Sequence, residues 1–186
     1  MAIHLSTERL DQALRDLRGF PEGVARAAVP AINRAMLAGR TFGLRRLMAT
    51  YATSRAAVVG TLRTTKATRS SLAAELSSRG TRLPLTAFRV NPLRPTVRGS
   101  RFGVVVRKGD AMEVKRGFVN VTKSGRLAVL QRESAKRFPV RMAFGPAVPQ
   151  MFNEEGVREE IEARGMEVLE RRFDHEVGRL LRGLGR

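Results

Sequence analysis

The spacing of apolar residues changes period twice along this chain, and those two changes limit the fold more than any other feature. As far as Thr64 the apolar residues recur at helical spacing. From Leu72 to Phe144 they fall in short extended runs broken by Gly, Pro and Ser. After Pro149 the helical period returns. Helices, then strands, then a helix is the order of an α+β fold, not of alternating α/β units. The expectation is N-terminal helices, a central antiparallel sheet of about four to six strands and a long C-terminal helix. Residues 1–70 form the helical region, 71–146 the β region and 147–186 the last helix, within one structural domain overall.

The first helix is expected over residues 7–18, capped by Ser6 or Thr7, with Leu10, Leu14 and Leu17 on one face and Gly19 at its end. A second runs over residues 21–52. Its stripe of Val24, Ala28, Ala31, Ala35, Gly39 and Gly43 lets another backbone approach closely, and Pro30 predicts a kink or a new start. Thr53 or Ser54 caps a short helix that continues to Leu62. Strands are expected at residues 72–76, 83–90, 102–106, 117–122, 126–131 and 137–144, with Pro84 marking an edge or bulge and Lys123-Ser124-Gly125 a hairpin turn. The C-terminal helix is expected over residues 149–181. Val157, Ile161, Val168, Leu169 and Phe173 lie on its buried side, and Glu154–Arg158, Glu160–Arg164 and Glu167–Arg171 form i,i+4 pairs on the wet side.

Charge is the next constraint. The chain carries 35 basic and 17 acidic residues, net +18, and 30 of the basic residues are Arg. The arginines suit fixed contacts with phosphates or carboxylates. Residues 23–100 hold 14 basic residues against Glu75 alone, whereas residues 141–186 are nearly balanced. Arg45, Arg46, Arg63 and Lys66 cluster where helix gives way to strand and are the candidate basic face. Two readings of that face stand side by side: contact with the phosphate backbone of DNA, without sequence preference, or pairing with acidic faces of protein partners.

Several chemistries are excluded or disfavoured. Without Cys there is no disulfide, thiol catalysis or thiolate metal site. Only His4 and His175 are present, and no zinc spacing exists. Asp174-His175-Glu176 lies on a helix, where consecutive side chains diverge by about 100°. No phosphate-binding loop, dinucleotide fingerprint or nucleophile elbow occurs. Glu113 with Glu133 is the one carboxylate pair available to a metal-dependent nuclease, and one pair is fewer than such a site needs. We therefore expect no enzyme, no cofactor and no metal. With no Trp, one Tyr and nine Phe, base-stacking platforms are scarce. No apolar run is long enough to span a bilayer, and residues 1–5 lead into a polar helix, not a signal peptide.

An ordered set of short motifs adds a family resemblance. Ala31-Ile32-Asn33-Arg34, then Ser78-Arg79-Gly80 with Leu83-Pro84-Leu85, then Gly117-Phe118-Val119, Ser124-Gly125-Arg126, Val129-Leu130-Gln131-Arg132, Arg137-Phe138-Pro139-Val140 and Gly145-Pro146-Ala147-Val148-Pro149 follow one another. Together they resemble the phage minor tail protein Z family. The resemblance implies a structural virion protein, made in the host cytoplasm. It would complete a long tail at its head-proximal end as a homo-oligomeric ring, a hexamer matching the sixfold tube. Its partners would be other tail and neck proteins, with non-specific contact to double-stranded DNA and no membrane. Phe144, Pro146, Val148, Ile161 and Phe173 are the expected assembly interface. The alternative is a stand-alone basic protein that binds nucleic acid without sequence specificity.

Overall fold

The computed structural model describes residues 2–3, 21–96 and 102–184. The expected helix over residues 7–18 lies outside them. Among the described residues the elements are β1 (Ala2–Ile3), α1 (Pro21–Thr50), α2 (Arg55–Val59), β2 (Leu62–Thr65), β3 (Glu75–Ser78), a 3-10 turn (Leu85–Ala87), β4 (Arg89–Asn91), β5 (Gly103–Val105), β6 (Ala111–Glu113), β7 (Gly117–Val121), β8 (Leu127–Arg132), β9 (Val140–Met142), α3 (Val148–Phe152) and α4 (Val157–Leu184). The α+β order is as expected. The strands are distributed over three antiparallel three-stranded sheets, ordered β1-β3-β2, β4-β5-β6 and β7-β8-β9.

The chain divides into two compact units with interleaved segments. The first comprises Met1–Gly43, Leu62–Arg79 and Phe152–Arg186, and the second Leu44–Thr61 and Gly80–Met151.

The first unit is built on the small-residue face of α1. Ala28, Ala31, Ile32 and Ala35 form a buried cluster with Ala67 and Leu169, and Leu72, Ala74, Met166 and Phe173 pack around it. A Cβ on Gly39 would lie 3.5 Å from the carbonyl oxygen of Ile161, so α1 and α4 meet nearly backbone to backbone there. Helix α1 runs unbroken through Pro30, and the expected new start does not occur. Pro30 is exposed while Ala27, Ala28 and Ala31 beside it are buried. Packing on the inner face thus carries the helix past the missing N–H, which falls on the solvent side. Strand β2 stands where the sequence suggests the end of a short helix. Its Leu-Arg-Thr-Thr has no alternation of its own and is held by antiparallel pairing with β3, Thr64 opposite Leu76.

The expected single C-terminal helix is interrupted. Helix α3 ends at Phe152 and α4 begins at Val157, with Gly156 between them in the left-handed region at φ +78°. Only a residue without a Cβ enters that region at little cost. Within α4, Arg158 pairs with Glu162 at 2.8 Å, Arg164 with Glu167, and Arg179 with Glu176 at 2.8 Å. The hydrogen bond and charge of Glu162 raise the Arg158 guanidinium above its ordinary pKa, so it stays charged throughout the working pH range.

The second unit packs Leu44, Leu47, Tyr51, Val58, Val104, Val119, Val129, Val148 and Met151 into its core. Ser54 caps α2 as expected, its side chain accepting from the Ala57 N–H at 3.2 Å. The strand expected over residues 83–90 starts late. Pro84 has no N–H for a ladder, and its carbonyl accepts from Ala87 to close the 3-10 turn before β4. The β7–β8 hairpin matches the expectation, with Val119 opposite Val129 and the turn at Thr122–Arg126 closed by a Thr122 N–H to Arg126 carbonyl bond of 2.8 Å.

Candidate assembly surface

Folding redistributes the charge. The second unit carries 18 basic and three acidic residues, net +15, and the first carries 17 basic and 14 acidic, net +3. Residues 23–100, which form the basic stretch of the linear sequence, are shared between the two. Arg45 and Arg46, on the last turns of α1, belong to the second unit. Arg63 on β2 and Lys66 beyond it belong to the first. All four are exposed.

Part of the arginine excess covers rings. Arg107 lies 5.6 Å from the centroid of Tyr51, Arg132 4.7 Å from that of Phe118 and Arg137 5.5 Å from that of Phe138. All three pairs lie in the second unit. A guanidinium over an aromatic face gains from the ring quadrupole while keeping its charge for other partners.

The second unit also contains an open groove of about 1020 Å³. Its lining includes Met112 of β6, Met142 of β9, and Phe144, which are 49%, 38% and 46% exposed. Those are high values for large apolar side chains that share one surface. Arg82, Lys115 and Arg141 line it as well and are exposed, and none of them pairs with a carboxylate among the described residues. Asp110 and Glu113 are the acids in the lining. Strand β6 is terminal in its sheet, and each of its three residues is exposed.

Of the five expected interface residues, two line this groove: Phe144, and Pro146, which is half-buried. Val148 and Ile161 are 0% and 1% exposed and serve the cores of their own units. Phe173 packs against the Ala28–Leu169 cluster. Sequence reasoning missed Met112, Met142, Arg82, Lys115 and Arg141. They stand up to 60 positions apart in the sequence, and only Arg141, Met142 and Phe144, basic and apolar together in one short segment, hint at a surface of mixed character.

His175 Nδ1 is 3.9 Å from Glu176 Oε1, and the imidazole is 58% exposed, an open surface contact. Among the described residues no group of three or more His, Asp or Glu side chains is placed to hold a metal ion. Among the same residues no helix is long and apolar enough to cross a membrane.

Against known proteins, the family described as prophage minor tail protein Z (GPZ) matches residues 8–184. No curated protein and no solved structure shows significant similarity to the chain.

Proposed function

The chain belongs to the prophage minor tail protein Z family, and from that premise we propose that it completes the phage tail at its head-proximal end, as a ring that helps to join tail and head. The family match across nearly the whole chain carries this reading. The short terminal strands and the exposed apolar groove support it, because neighbouring copies or partners would cover surfaces that a lone subunit leaves open. Sixfold symmetry, matching the tail tube, is the copy number we propose. The role is structural, without catalysis.

The net charge of +15 on the second unit gives this protein a field that draws anionic partners. Acidic faces of neighbouring tail proteins are the first candidates, and DNA passing through the ring is the second. Arg45, Arg46, Arg63 and Lys66 are the residues proposed for such contacts.

Imaging of virions bearing a small tag on this chain tests the placement. Tag density confined to the head-proximal end of the tail is the expected result. Density along the tube, or none in the virion, overturns the proposal. Charge reversal at the four basic residues then separates the partners. Intact rings with displaced DNA indicate DNA contact, and failed rings indicate protein contact. Salt-sensitive DNA binding by a monomer that never enters tails would instead favour a stand-alone nucleic-acid-binding protein.

A further inference from the structure

We propose that the groove lined by Met112, Met142 and Phe144 receives an extended, acidic segment of another protein, with at least one large apolar side chain seated on those three. That the donor is another tail protein rests on the function proposed above. The chemistry of the segment rests on the groove itself.

Three observations define the occupant. Met112, Met142 and Phe144 are large, apolar and about half exposed within one depression, and methionine adapts to irregular apolar partners. Arg82, Lys115 and Arg141 line the same depression, exceeding Asp110 and Glu113, and sit in a unit of net charge +15. Carboxylates on the incoming segment would meet cations there, and the field of the unit would speed encounter. Beside them runs β6, terminal in its sheet and exposed at every residue, which offers a main-chain edge for strand addition.

Duplex DNA fits less well. It presents phosphates and would leave the three apolar side chains uncovered. A second copy of this chain is also a poor occupant. The Glu-rich helix α4 is not an extended segment, and its Glu162, Glu167 and Glu176 are already paired with Arg158, Arg164 and Arg179.

The test uses the full-length chain and four labelled probes: short peptides of equal length that alternate Glu with Leu, Glu with Ser or Lys with Leu, and a short DNA duplex. The Glu–Leu peptide should bind about tenfold or more tightly than the others. Phe144→Ser and Arg141→Glu should each weaken it by about tenfold, with unchanged thermal unfolding. Arg126→Glu, the same charge change at the β7–β8 turn, should have little effect. If the Glu–Ser peptide or the duplex binds equally well, or Arg126→Glu does as much damage as Arg141→Glu, the groove is read by charge alone and the inference falls. Entry into tails is scored separately by complementation. A Phe144→Ser chain that has lost peptide binding yet builds normal tails overturns the partner assignment. Groove-dependent peptide binding by a chain absent from tails supports the groove chemistry and overturns the tail role.

Discussion

The side-chain amide of Asn33 clamps the backbone of Ala67 from both sides: its Nδ2 donates to the Ala67 carbonyl at 3.1 Å and its Oδ1 accepts from the Ala67 N–H at 2.8 Å. Ala67 is 4% exposed and follows β2, so this one side chain satisfies a buried peptide that has left its ladder. Replacing Asn33 by Ala or Leu leaves both groups without partners and should cost about 2–4 kcal/mol in urea unfolding. Asn33→Asp keeps the acceptor and loses the donor until it is protonated. Its folded pKa should therefore lie above the unfolded value of about 3.9. A group whose folded pKa is raised binds more protons folded than unfolded, so this variant should gain stability as pH falls from neutrality towards that value. Equal stability of the Asp variant at pH 7 and near pH 4, relative to wild type, would count against the clamp.

The two glycines of the α1 stripe should respond in opposite directions. A Cβ at Gly39 meets Ile161 at 3.5 Å, an ordinary contact, so Gly39→Ala should gain about 0.5–1 kcal/mol from helix propensity. At Gly43 it would stand 2.9 Å from Ile161 Cδ1 and 3.0 Å from Phe152 Cε1. Gly43→Val should lose about 1–3 kcal/mol by overpacking. Thermal melts of both variants, fitted together, check the pair.

The Ser54 cap holds a helix of only five residues that contributes the fully buried Val58. Ser54→Ala should cost about 1 kcal/mol, and Ser54→Asp should restore most of it. Hydrogen exchange at the Ala57 amide reports the loss locally.

The β7–β8 turn depends on Gly125 at φ +75°. Gly125→Ala should destabilise by about 1–2 kcal/mol, and Gly125→Asn by less, because Asn tolerates the left-handed region. The same order in chemical denaturation is expected. If Ala and Asn are equal, the turn does not depend on backbone conformation.

Element order was legible in the sequence because period and punctuation are local properties. The Thr122–Arg126 turn and the Ser54 cap could be read from a few adjacent residues. Strand β2 could not, because its four residues lack alternation and depend on β3 for their ladder. The new start expected at Pro30 is absent because the buried alanines around it hold the helix, and that packing is not a local property of the sequence. The same limit applied to the surface. Arg63 and Lys66 appeared contiguous with Arg45 and Arg46 on paper, yet the four divide between two units. The groove draws on residues 82, 112, 115 and 141–144, which come from strands of two different sheets and from the loops beside them. Asn33 belongs to the Ala31-Ile32-Asn33-Arg34 motif, but its task depends on a residue 34 positions away.

The interleaving of the two units also sets an order for synthesis. All segments of the second unit have been translated by Met151, whereas the core of the first waits for Leu169, which is 137 positions after Ile32. At ribosomal speeds that interval is on the order of ten seconds. Throughout it the apolar face of α1 is in the nascent chain without its final helical cover.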